Sequence, residues 1–225
     1  MQQSAIWDHF QNEGVSSFAG AVPRLRWLAA RVARREKVLN VGIGNGDFER
    51  ASVLRGATVY TLDPSARAVD RIRGELDLGS RALIGRCEAI PLPDGLLDVV
   101  VMSEVLEHLA DVELLASLAE VRRILRPGGR FLGTVPANED TSANEVVCPS
   151  CQAKFHRWGH VRRFDKTSLR TTLINAGFVD VSVHPRAFPD FGRRGARIRS
   201  AVRFVLGRLG QGVAQPNLVF VGRKP

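Results

Sequence analysis

Short apolar runs and longer helix-like stretches alternate along this chain five times or more, and that alternation restricts the fold more than any other feature. Lys37 to Val41, Ala57 to Asp63, Arg81 to Gly85, Leu97 to Met102 and Arg130 to Val135 read as strands, with further strands at Phe178 to His184 and Asn217 to Gly222. Between them, residues 47–55, 65–76, 103–125 and 165–176 read as helices, the third in two pieces around Asp111. Parallel strands need crossovers of this length, and right-handed crossovers place helices on both sheet faces. The expected fold class is α/β, a doubly wound, mostly parallel seven-stranded sheet. The chain has 225 residues, of which 44% are apolar, enough for one domain with a substantial core.

Three segments stand outside the alternation. Residues 1–35 carry Trp7, Phe10, Phe18 and Trp27 in helical sequence and are expected to form a lid. Residues 136–164 hold a Cys/His cluster, and residues 186–216 are strongly basic. All three are read as parts of a single domain over 1–225. The formal charge of +9 is concentrated: residues 186–225 contribute nine Lys/Arg against Asp190 alone, so the main body is close to neutral. No apolar run approaches ~18 residues, and the first residues lack the apolar core of a signal peptide. With three cysteines, too few for a disulfide framework, the expected compartment is cytoplasmic.

The first candidate site is the run from Val38 to Asp47. Gly42, Gly44 and Gly46 follow a strand and precede a helix, in a G-x-G-x-G spacing that permits a tight turn and close backbone approach to a ligand. Asp63 ends the next strand, where a carboxylate can accept hydrogen bonds from ribose hydroxyls. A Gly-rich turn with a helix-capping Asp would account for the same residues without a ligand.

A second block runs from Gly85 through Cys87, Glu88, Pro91 and Asp98 to Ser103, Glu104, Glu107 and His108, and ends in Leu125-Arg126-Pro127-Gly128-Gly129. Taken with the glycine loop, this block resembles class I S-adenosylmethionine-dependent methyltransferases of the small single-domain type, over about residues 35–135 and 165–184. The resemblance implies a Rossmann-like methyltransferase fold with S-adenosylmethionine as cofactor. It implies that Gly42, Gly44 and Gly46 line the methionine and ribose, Asp63 holds the ribose diol and Pro64 lies against the adenine. Cys87 and Glu88 would flank the adenine edge, and Ser103 would sit near the methionine. The family usually has an acid where Asn40 stands; Asn40 can hydrogen-bond there but brings no charge. The chemistry is expected to be methyl transfer to an O or N of a small or lipid-linked metabolite. A nucleic-acid or protein target is an alternative, as is a non-catalytic binding module.

Glu104, Glu107 and His108 fall on one face if the segment is helical. His108 is then a candidate general base. The resemblance to ubiquinone-pathway O-methyltransferases suggests instead a divalent metal on this trio, and a plain helix start with acids at its positive end is the remaining reading. Cys148, Cys151, His156 and His160, in C-x2-C and H-x3-H spacing, are expected to form a structural zinc site, or a metal-free loop with histidines facing substrate. Residues 193–209 form a basic amphipathic helix by spacing, with Ile198, Val202, Val205, Leu206 and Leu209 on one face. Such a helix suits peripheral membrane association or a lipid-linked acceptor; nucleic acid is less favoured, and a helix simply packed on the domain fits the pattern too.

Overall fold

The computed structural model describes residues 20–188 and 217–225. The strands are β1 (Lys37–Val41), β2 (Thr58–Asp63), β3 (Ala82–Ile84), β4 (Leu97–Ser103), β5 (Leu125–Pro136), β6 (Glu145–Val147), β7 (Lys154–His156), β8 (Val179–Arg186) and β9 (Asn217–Arg223). The helices are α1 (Val22–Ala29), α2 (Asp47–Leu54), α3 (Ala66–Leu76), α4 (Asp111–Ile124) and α5 (Lys166–Asn175). Seven strands form one sheet in the order β3-β2-β1-β4-β5-β9-β8. The pairs from β3 to β5 are parallel, and β9 runs antiparallel to both β5 and β8. The expected mostly parallel seven-stranded sheet is therefore present, and β6–β7 is a separate hairpin within residues 136–164.

Side-chain parity explains why the central strands read as continuous apolar runs. Val99 and Val101 of β4 point to one face, where they pack with Leu28 and Ala29 of α1, Phe48 of α2 and Ala68, Val69 and Ile72 of α3. Val100 and Met102 point to the other face, against Leu114, Leu118 and Val121 of α4 and Leu169 and Leu173 of α5. Both faces are covered, so neither needs polar residues. The helices start where the sequence offers caps. Ser65 accepts from the Ala68 amide, and Asp165 and Ser168 form a reciprocal capping box.

Two local expectations change. Pro127, Gly128 and Gly129 do not separate α4 from a later strand. They lie inside β5, which pairs Leu125 with Leu97 and then shifts register before Arg130 meets Val99. The segment after β4 is not one helix either. Glu104 has φ +57°, which breaks the path, and only Leu106–His108 forms a single 3-10 turn before α4. Glu104 and Glu107 therefore do not share a helical face. The lid expected over 1–35 is described only from Gly20 onward, and most of the basic segment 186–216, with all of 193–209, lies outside the described residues.

Candidate active site

The carboxyl ends of β1, β2 and β4 open into a cavity of about 480 Å³. Its first end is built by the glycine loop. Gly42, Gly44 and Gly46 have φ of +87°, +52° and +84°, values open to glycine at little cost. The Gly42 amide donates to the Leu62 carbonyl at 2.9 Å, and the Ile43 amide donates to Asp63 Oδ2 at 2.8 Å. Arg50 of α2 donates to the Asn45 carbonyl and Arg71 of α3 to the Gly44 carbonyl, so two guanidinium groups fix the outer rim.

Of the residues expected at the cofactor, Gly42, Gly44, Asp63, Pro64, Cys87, Glu88 and Ser103 line this cavity. Asn40 and Gly46 do not. Asn40 lies on the same strand face as Val38 and is turned away, 1% exposed, with Nδ2 donating to the Gly42 carbonyl at 3.0 Å and to Glu49 Oε1 at 2.7 Å. Its role is to hold the loop from beneath. Gly46 starts α2, and a Cβ there would meet Ile72. Asp63 is fully buried, and its two oxygens accept from the Ile43 and Ser65 amides at 2.8 Å each. Burial pushes the Cys87 thiol up to about 11, so it lines the wall as a neutral group.

A polar network that the sequence did not reveal lies across the middle of the cavity. Arg24 of α1 donates to Ser103 Oγ at 3.0 Å, and Ser103 Oγ lies 2.9 Å from Thr134 Oγ1. Thr134 Oγ1 and Asn217 Nδ2 both donate to Glu104 Oε1, at 2.9 and 3.0 Å. The network joins α1, β4, β5 and β9. Ser103 and Thr134 are register partners across β4 and β5, but nothing in sequence spacing links either to Arg24.

The far end of the cavity is formed by residues 136–164. This segment leaves β5 and returns beside its start, where Ala137 bridges Phe164 and the Asn138 amide donates to the Phe164 carbonyl. The Val161 amide donates to the Glu107 carbonyl, tying the return to the turn after β4. Trp158, Glu139, His160 and His108 thereby line the cavity. His108 Nδ1 lies 3.2 Å from the Gly159 carbonyl, and its ring meets that of His160 edge-on at 4.7 Å. Burial, reinforced by His160, pushes the His108 pKa down to about 3, which works against the general-base role expected of it. Burial and then Glu104 raise the Glu107 carboxyl well above the usual range.

The four expected zinc ligands do not converge. Among the described residues, the groups of His, Cys, Asp or Glu whose ligand atoms lie within 4.8 Å of one another are Glu107–His108–His160 and Glu139–His156–His160. Neither contains Cys148 or Cys151. The hairpin register explains this: His156 pairs with Glu145 at the base of β6–β7, while the cysteines occupy the turn at its tip. There the backbone amides of Cys151 and Ser150 hold the Cys148 thiol below its usual pKa. Glu139, which sequence reading passed over, takes the place expected for the thiolates. It bonds His160 Nδ1 through Oε2 and lies 3.5 Å from His156 Nε2.

The strand order, the left-handed glycine loop and the carboxylate at the end of β2 together define a doubly wound, Rossmann-like α/β domain. Residues 39–133 match the family described as "Methyltransferase domain". An uncharacterized methyltransferase of Mycobacterium tuberculosis is 38% identical over 105 residues, covering 47% of this chain and 41% of the relative. The ubiquinone biosynthesis O-methyltransferase of Pseudomonas putida is 32% identical over 122 residues, 51% of each chain. The match thus spans about two fifths of the mycobacterial relative's length and half of the other's. The same fold occurs in a chain from the complex between the Haloferax volcanii Trm112 methyltransferase activator and a methyltransferase (TM-score 0.69, 22% identity, 97% of both chains). It also occurs in the Burkholderia thailandensis 1,6-didemethyltoxoflavin-N1-methyltransferase, with 1,6-didemethyltoxoflavin and S-adenosylhomocysteine bound (TM-score 0.66, 18% identity, 99% of this chain and 86% of that one). No helix among the described residues is long and apolar enough to cross a membrane.

Proposed function

We propose that this protein transfers the methyl group of S-adenosylmethionine to an oxygen or nitrogen of a small or lipid-linked metabolite. The observation that carries the reading is one continuous cavity with two chemically different ends. The glycine loop, Asp63 and Pro64 line one end, and His108, Glu139, Trp158 and His160 line the other. Its volume of about 480 Å³ is within the range of small-molecule sites.

The residues at the first end suit the cofactor. The glycine backbone permits close approach, the Asp63 carboxylate lies in the wall at the end of β2 where a ribose diol would sit, and the walls at Pro64, Leu62 and Cys87 are mostly apolar, as an adenine requires. Arg24 offers a cation beside Ser103, where a methionine carboxylate would need one. Bound there, the sulfonium supplies an activated methyl group. The protein's part is then to orient the acceptor, exclude water and accommodate a proton. Residues 136–164 are suited to orienting the acceptor, because they bring an aromatic ring and polar side chains to the end away from the ribose.

Relatives support a small acceptor. The Pseudomonas putida protein is named for ubiquinone biosynthesis, and a Serratia marcescens relative, 37% identical over 97 residues, is a malonyl-[acyl-carrier protein] O-methyltransferase. The basic sequence over 193–209 supports a lipid-linked acceptor within the same class. The test is to incubate the purified protein with deuteromethyl-labelled S-adenosylmethionine and separate small-molecule, lipid, nucleic-acid and protein fractions. Label is expected in the small-molecule or lipid fraction. Label confined to nucleic acid or protein would overturn the acceptor class.

A further inference from the structure

We propose that Arg31 and Arg186, set about the indole of Trp27, form a binding site for the phosphate group of an amphiphilic phosphate ester such as a lipid headgroup. The site rests on the placement of these residues; its use in holding a methyl acceptor deepens the methyl-transfer reading and depends on it.

Arg31 Cζ stands 3.1 Å from the centre of the Trp27 ring, and Arg186 Cζ stands 4.8 Å from it. The Phe188 ring meets the indole edge-on at 5.6 Å, and Arg186 Cζ lies 5.7 Å from that ring as well. Two guanidinium groups are thus gathered about one aromatic pair. Among the described residues neither has a carboxylate partner, whereas Arg50, Arg123, Arg126, Arg130 and Arg162 each have one. Glu36, the acid nearest to Arg31 in sequence, is committed to Arg130. Burial first, and then the charge on Arg186, lowers the Arg31 pKa from its usual value. Like charges held together without a counter-charge are unfavourable, and a bound anion is the partner that offsets the repulsion.

The residues also fit the ligand class. A guanidinium stacked by its face keeps its edge N–H groups for an anion. Arg31 uses one of them on the Trp27 carbonyl, at 2.9 Å. A phosphate monoester carries close to two negative charges near neutral pH and offers several acceptor oxygens, enough to answer both cations, whereas a carboxylate brings one charge. Trp27 and Phe188 are half-buried and set apolar surface beside the anion, which suits an ester with a hydrocarbon part. The site adjoins the cavity from two sides. Trp27 lies about one turn of α1 beyond Arg24, which lines the cavity. Arg186 ends β8 opposite Asn217, whose side chain donates to Glu104 in the network across the cavity. The sequence from Arg186 onward is the basic part of the chain, and a field of that sign attracts anionic headgroups.

The experiment is calorimetry of the full chain at low ionic strength with dihexanoyl phosphatidic acid, kept below its micelle-forming concentration, and separately with inorganic phosphate. Thermal unfolding and titration with S-adenosylhomocysteine are run on every variant as independent checks of folding and of the cofactor site. We expect saturable one-to-one binding of the lipid, displaced by inorganic phosphate that itself binds more weakly. Arg31→Gln and Arg186→Gln should each weaken the lipid by about tenfold or more. Arg186 is exposed at a strand end, so its variant tests the site even if Arg31→Gln disturbs the end of α1. Arg26→Gln, which removes an exposed charge from the same helix, should change the affinity by less than about twofold. No saturable binding by a chain that takes up S-adenosylhomocysteine would overturn the site. So would an equal loss in Arg26→Gln, which would mark a diffuse attraction. Binding of inorganic phosphate through Arg31 and Arg186 without binding of the lipid would overturn the amphiphile in favour of a soluble phosphate ester. Lipid binding through both arginines in a chain that does not bind S-adenosylhomocysteine would leave the anion site standing and overturn its use on a methyl acceptor.

Discussion

Asn40 Nδ2 donates to Glu49 Oε1 at 2.7 Å in a pair closed to solvent, and through it the first turn of α2 supports the end of β1. Thr61, the register partner of Asn40 on β2, donates to the same oxygen at 2.8 Å. The glycine loop therefore rests on a buried polar knot that spans two strands and a helix. The acid missing from position 40 has its counterpart in Glu49, nine residues later, beneath the loop and not in the cavity.

This knot makes stability depend on pH. Burial raises the Glu49 carboxyl from 4.5 to about 7, against the opposing effect of the Asn40 and Thr61 hydrogen bonds. The folded state thus holds this proton more tightly than the unfolded chain. The contribution is fully present below about pH 4.5 and is lost as the pH rises through about 7. At about 1.4 kcal/mol per pKa unit, the loss is on the order of 3 kcal/mol. Denaturant titrations between pH 4.5 and 8 should show this decline in the native chain and a flatter profile in Glu49→Gln.

Asp63→Asn separates loop bracing from ligand binding only partly, because the same carboxylate does both. Its oxygens accept the Ile43 and Ser65 amides, and an amide nitrogen at either position would oppose an N–H donor. We expect a loss of about 1–3 kcal/mol in stability and a larger fractional loss in S-adenosylhomocysteine affinity. Thermal unfolding and calorimetry on the same preparation measure the two effects.

Gly133 lies in β5 between β4 and β9, where a Cβ would stand 2.1 Å from the Met102 carbonyl oxygen and 2.4 Å from the Phe220 ring. The first obstacle is backbone, so rotamer changes cannot relieve it. Gly133→Ala is expected to cost about 3 kcal/mol or more, at the upper end for added bulk in a packed core. Gly74→Ala, on α3 with open space around its Cβ, should be neutral or stabilising in the same urea titration.

The three cysteines should differ sharply toward thiol reagents. Cys87 is 7% exposed with its pKa raised to about 11, whereas Cys151 is exposed and Cys148 sits beside it with a lowered thiol pKa. Rapid modification of two thiols in the native protein, and of the third only after unfolding, is the expected result by intact-mass spectrometry.

Much of this was legible in the sequence, for identifiable reasons. Central strands covered on both faces are largely apolar, so Val99 to Met102 announced itself. Glycines that need positive φ cannot be replaced cheaply, so the loop at 42–46 stood out. Parity also placed Asn40 on the face of Val38, toward α2, which is information the sequence contains but a motif comparison ignores. Long-range pairings left no such trace. Arg24 reaches Ser103 across 79 positions, and Glu139 reaches His160 across 21 in a segment without periodicity. The C-x2-C and H-x3-H spacings suggested one metal site because the chain distance between them is short. The β6–β7 hairpin instead puts the cysteines at its tip and the histidines at its base.

Calorimetric titration of the full chain with S-adenosylhomocysteine tests the central claim most directly, since it examines the glycine loop and Asp63 without requiring the acceptor. A saturable one-to-one isotherm, weakened by Asp63→Asn, is the predicted result. No heat with this ligand or with S-adenosylmethionine, together with a clear isotherm for a nicotinamide dinucleotide, would contradict the account.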